Sequence, residues 1–133
     1  MGINGPEEKR IEFAGVNFNP EQVAEYGKSE DLYYINFKDG TKVKFAQQRR
    51  GASIYGERTG NFNDYSFRNF DSVFVKGSDK NDYYNFSACK GGSISTDGDK
   101  NGDIIRIDED CSNMRISKDE WDDIYNDGQG TIY

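Results

Sequence analysis

The chain is 133 residues long, carries a formal net charge of -7 and contains no histidine. Its length suits one domain with its own core, and its acidity argues against a nucleic-acid partner, whose phosphates are met by Lys and Arg. Without an imidazole the commonest general base and metal ligand is missing, and no P-loop, nucleophile elbow or closely spaced cysteine pair replaces it.

Eleven Ile, nine Phe, nine Tyr and five Val stand against a single leucine, Leu32. β-Branched and aromatic residues fit a pleated, half-buried surface, whereas Leu and Ala favour helices, so the composition points to a mostly β protein. Only 34% of residues are hydrophobic and the mean hydropathy is -0.95, which implies a thin core and much backbone in polar turns. Residues 1–60 hold nine basic and nine acidic residues; residues 61–133 hold eight and fifteen and so carry the whole net charge. No apolar run is long enough to span a bilayer, and no secretory apolar region stands at the N-terminus.

In chain order, Met1–Lys9 is polar. Arg10–Phe18 alternates at Ile11 and Phe13, then at Val16 and Phe18, with a phase shift at Ala14-Gly15 that predicts a bulge or bend. Asn19-Pro20 reads as an N-cap followed by proline at the first helical position, and Glu21 is favourable there. A helix of about two turns is expected, with Val23, Ala24 and Tyr26 on its apolar side and Gly27 at its end. Leu32–Phe37 and Thr41–Phe45 flank Asp39-Gly40, a hairpin signal, with Tyr33, Ile35 and Phe37 facing Val43 and Phe45. Gln47–Gly51 is a polar exit.

From Ala52 a unit repeats. Ser53-Ile54-Tyr55 leads to Asp64-Tyr65, Ser72-Val73-Phe74 to Asp82-Tyr83-Tyr84, and Ser93-Ile94-Ser95 to Asp103-Ile104-Ile105. A period of about 20 residues with two short strands per unit is a solenoid signature, and such units bury their apolar faces only by stacking. The expected fold is therefore a short β-solenoid or β-roll of about three coils at 52–116, with a strand, helix and hairpin cap at 1–51 and a capping segment at 117–133. For that last segment two readings compete. Asn113–Ile116 leading to Asp123-Ile124-Tyr125 would be a fourth coil. Ser117-Lys118-Asp119-Glu120 is a capping box before Trp121, Ile124 and Tyr125 at helical spacing, and it favours a C-terminal helix.

Asp97, Asp99, Asn101, Gly102, Asp103 and Asp108 follow the spacing of an EF-hand calcium loop, which this twelve-residue stretch resembles. The wider run resembles hemolysin-type (RTX) calcium repeats: Gly77, Asn81, Asp82 and Tyr84 match that pattern, as do Gly98, Asp103 and Ile105, and Gly60, Asn63 and Asp64. In that family stacked turns share Ca²⁺ ions in a parallel β-roll. The resemblance implies an Asp64–Asp82–Asp103 ladder and calcium ligands among Asp79, Asn81, Asp82, Asp97, Asp99, Asn101, Asp103 and Asp108. Asn and Asp also populate turns because they cap their own backbone. Cys89 and Cys111 would fall on adjacent coils at similar height, where a disulfide and two buried thiols are both open. Asp122-Asp123 and Asp108-Glu109-Asp110 are the carboxylate runs that a hydrolase could use. The expected function is a non-enzymatic, secreted, calcium-binding interaction module with a protein or glycan partner. The alternative is a metal-free intracellular interaction or inhibitor protein.

Overall fold

A computed structural model describes residues 11–46, 52–59, 62–96, 102–118 and 122–132. β1 (Ile11–Phe13) and β2 (Val16–Phe18) pair antiparallel across Ala14 (φ 52) and Gly15 (φ 85). Two successive left-handed residues make this a primed hairpin turn rather than a bulge in one strand. The Asn19 side chain accepts from the Glu21 amide at 3.0 Å, as expected of an N-cap, but the helix it opens is a single 3-10 turn, Pro20–Gln22. The chain then extends as β3 (Val23–Ser29), antiparallel to β4 (Leu32–Phe37). So short a helix is marginal by itself. The strand instead gains a row of backbone hydrogen bonds and places Tyr26 edge-on to Phe13 and Phe18, with centroids 5.0 and 5.3 Å away. The hairpin at Asp39-Gly40 forms as the sequence predicts: β5 (Lys42–Phe45) pairs with β4 so that Ile35 faces Val43 and Tyr33 faces Phe45, and Gly40 takes φ 102.

β6 (Ala52–Thr59) and β7 (Phe62–Arg68) are also an antiparallel hairpin, so the expected first coil at Ala52 is part of the cap. The solenoid starts at β7. It continues through β8 (Val73–Lys76), β9 (Asp82–Ser87), β10 (Gly92–Ser95), β11 (Ile104–Ile107), β12 (Met114–Ser117), β13 (Asp123–Asn126) and β14 (Gly130–Ile132). Two seven-stranded sheets result, β1-β2-β6-β7-β9-β11-β13 and β14-β12-β10-β8-β5-β4-β3. Within them the successive solenoid strands are parallel, giving about three turns. Each strand of one sheet serves as the crossover that a parallel neighbour in the other requires.

The C-terminal helix expected from the capping box is absent among the described residues. Ser117 ends β12, and Asp123–Asn126 is β13, in register with Ile104–Ile107. A helix of two turns would strand Ile124, which here joins the core edge and extends the interior row Tyr65–Tyr84–Ile105–Ile124.

The core lies between the sheets. Along the first, Phe67–Phe86–Ile107 runs beside the row just named; along the second, Val43–Val75–Ile94–Ile116 lines up across strands. In-register repeats put like rings face to face: Phe67 on Phe86 at 4.9 Å and 13°, Tyr65 on Tyr84 at 6.0 Å and 17°. Offset aromatic stacking adds to area burial. Phe86→Ala should therefore cost about 3–5 kcal/mol in urea unfolding; a loss below about 1 kcal/mol would mean that this ring is not a stacked core member.

Candidate functional site

The repeat aspartates meet, in a register one step different from the expected one. Asn63 lies opposite Asp82, and Asp64 opposite Tyr83. Because Ile104 pairs with Tyr83 and with Asp123, Asp82, Asp103 and Asp122 share one height on successive coils. The ladder is thus Asn63–Asp82–Asp103–Asp122, and Asp64 is outside it. Since side chains alternate along a strand, that single step turns Asp64 to the outer surface. All three ladder aspartates are buried, Asp82 completely.

Their carboxylates are engaged within the protein. Asp103 Oδ1 accepts from the Asp82 amide at 3.0 Å, and Asp122 Oδ1 from the Asp103 amide at 3.0 Å. Asp82 Oδ1 accepts from Asn63 Nδ2 at 3.1 Å; its Oδ2 accepts from the Ser78 hydroxyl at 2.6 Å, the Ser78 amide at 3.2 Å and the Tyr84 hydroxyl at 2.9 Å. Burial raises the Asp82 carboxyl above its usual range, and the donors from Ser78, Asn63 and Tyr84 act in the opposite direction. The Tyr65 and Tyr84 phenols are pushed well up, first by burial, and so stay neutral donors. Tyr65 donates to Asp39 Oδ2 at 2.5 Å, while Asp39 Oδ1 accepts from the Thr41 amide at 2.8 Å. The turn aspartate of the β4–β5 hairpin thereby pins the cap to the first solenoid strand, a link that no local sequence signal announces.

The other residues implied by the calcium resemblance are dispersed or lie outside the described residues. Asp97, Asp99 and Asn101 are among the latter. Asp79 is exposed, 3.7 Å from Lys80 Nζ. Asn81 Oδ1 is buried with no hydrogen-bond partner. Asp103 and Asp108 bracket β11, Ile104–Ile107. At the rise of an extended strand that separates them by about 16 Å, far beyond a shared ion with ligands at about 2.3–2.6 Å. An EF-hand-like wrap closing at Asp108 is therefore incompatible with β11. Among the described residues no three acidic or thiol side chains converge as a metal would need. Among the described residues, Asp82 and Asp103 hold protein donors.

Cys89 and Cys111 do reach adjacent coils, where the Ser112 amide donates to the Cys89 carbonyl at 2.9 Å, but both are free, buried thiols. Cys111 Sγ donates to Phe86 O at 3.2 Å and Cys89 Sγ to Ser87 O at 3.4 Å, and the two thiols also lie within hydrogen-bonding reach of each other. Burial raises both thiols, Cys89 to about 12, which leaves them unreactive. The pairing that would argue for an oxidising compartment is not made.

Of the carboxylate runs, Asp108, Glu109 and Asp110 line one open surface hollow with Arg106 and Asp127. Asp122 is buried in the ladder, whereas its neighbour Asp123 is exposed on the opposite face of the chain. Asp110 Oδ1 accepts from the Ala88 amide at 2.9 Å, capping the turn of the preceding coil. Among the described residues no helix is long and apolar enough to cross a membrane.

The outer faces differ in charge: the first is mixed, with Asp64 and Asp123 beside Arg68 and Arg106, and the second carries mainly cations. The first sheet presents Asp64, Tyr83, Ile104 and Asp123 in one row. The second presents Lys42, Lys44, Lys76 and Arg115 around Phe74, with serines between them. Sequence reasoning missed this second face; the alternation Lys42-Val43-Lys44-Phe45 was its available signal. No family model, curated protein or solved structure matches this chain.

Asp103→Ala should destabilise the fold by about 2–3 kcal/mol, since it leaves the buried Asp82 amide without an acceptor. Asp64→Ala should stay within about 0.5 kcal/mol; equal losses in urea melts would refute the shifted register. The pH dependence has a definite sign. A folded-state value above the unfolded 3.8 means that the Asp82 contribution is complete below 3.8 and fades as pH rises through the folded value. The stability gap between the wild type and Asp82→Ala should hence widen on acidification from about pH 7 to about pH 4.5, and a narrowing gap would contradict the burial-driven shift.

Proposed function

We propose that this chain is a non-enzymatic binding module, a stiff two-sheet β-solenoid that meets another macromolecule through an outer strand face. One observation carries the reading: the residues with the most chemical capacity, Asp82, Asp103 and Asp122, are buried and spent on hydrogen bonds within the wall. What remains outside is rows of charged, hydroxyl and aromatic side chains in strand register, with open, mostly polar hollows such as that lined by Arg106, Asp108, Glu109, Asp110 and Asp127. Such a surface suits recognition by area rather than enclosure of a small substrate, which normally takes a concave, mostly apolar site.

Calcium is not required in this reading. Asn63, Ser78, Tyr84 and backbone amides supply to the ladder the positive ends that an ion would supply in a calcium β-roll. Thermal melting with chelator and with millimolar calcium tests this. A ligand specific to the native state raises the midpoint. The midpoint should move by less than about 2 °C; a rise above about 5 °C would return calcium to the centre of the function.

A further inference from the structure

Apart from Glu25 on β3, which accepts from the Tyr34 hydroxyl, the outer face of the second sheet has a sign opposite to that of the chain as a whole. Lys42 and Lys76 lie directly across β5 and β8, and Lys44 lies across from Phe74. Phe74 in turn aligns with Ser93 on β10 and Arg115 on β12. Over β5, β8, β10, β12 and β14 the outward positions are Lys42, Lys44, Phe74, Lys76, Ser93, Ser95, Arg115, Ser117 and Thr131, four cations and no carboxylate. This occurs in a chain with a net charge of -7. Phe74 is 39% exposed at the middle of the row. No ion pair joins any of the four cations to a carboxylate among the described residues.

Resting on the reading of the chain as a face-binding module, we propose that this face docks an acidic protein surface, with Phe74 as the apolar anchor and Lys42, Lys44, Lys76 and Arg115 as the surrounding charges. An aromatic residue ringed by polar and charged groups is the usual anatomy of a protein interface, and complementary charge selects the partner and speeds encounter. The net charge argues for a compact acidic patch over a long polyanion. A nucleic acid or sulfated glycan senses the field of the whole molecule and is repelled by -7, while a protein patch within a Debye length, about 8 Å at physiological salt, senses mainly the four cations.

The test uses a fluorescein-labelled peptide of alternating Glu and Leu as the probe, read by anisotropy, with single-stranded DNA and heparin of matched charge beside it. The acidic peptide should bind at low salt and lose about tenfold or more in affinity with Lys42→Glu combined with Lys76→Glu. Phe74→Ser should weaken it without changing the salt dependence, and Asp64→Lys combined with Asp123→Lys, on the other sheet, should leave it unchanged. All variants lie at exposed or half-exposed positions, and circular dichroism melts verify that they fold. Unchanged binding in the lysine variant overturns the proposal. Loss through Asp64 and Asp123 instead would keep the module but move its face to the first sheet. Tighter binding of DNA or heparin than of the peptide would overturn the protein assignment, and absence of binding to every probe would remove both the proposal and the reading beneath it.

Discussion

Buried carboxylates that accept from the backbone of the neighbouring coil set the register of this molecule. A parallel pair of strands can slide by two residues and keep its inward faces apolar, so hydrophobic pattern alone leaves a choice. Asp103 and Asp122 remove it. Each holds the amide of the aspartate one coil earlier, and a slip would leave both a buried carboxylate and a buried amide unsatisfied. Once that height is fixed, Tyr84 falls on Tyr65, Phe86 on Phe67 and Ile94 on Val75 without further instruction.

The ladder also needs a neutral start, and Asn63 provides one. Its amide donates to Asp82 where a further aspartate would add a like charge, and Ser78 and Tyr84 complete the donors around that first carboxylate. The hairpins of the cap reach the same region through Asp39 and Tyr65. Cap and solenoid are thereby joined where the stacked aromatic rings are thickest, and the outer faces inherit the stiffness of a two-sheet wall.

Charge is partitioned by the same alternation that builds the core. Inward positions of β5, β8 and β12 are Val43, Phe45, Val73, Val75, Met114 and Ile116, and outward ones carry the lysines, Arg115 and Phe74. An acidic protein with one basic, aromatic-centred face presents two signs to its surroundings, which is a basis for orientation as well as for attraction.

Much of the fold is legible in the sequence. The β-branched and aromatic composition, the repeat spacing and the Asp39-Gly40 turn are strictly local properties, and they sufficed for a β-solenoid with a hairpin cap. Asn19-Pro20 and Ser117–Glu120 are genuine helix-start signals, yet β3 and β13 replaced the helices because a short helix cannot match the backbone partners and buried side chains that a sheet edge offers. The same limit applies to Asp64 and Asp82. Both follow an apolar strand and a polar turn, and only the packed coils decide that Asn63, one residue earlier, is the one that faces inward. Residue type and spacing determine which elements can form; which carboxylate is buried, what each thiol meets and which face carries the charge depend on contacts between residues some twenty positions apart, and only the tertiary structure creates those.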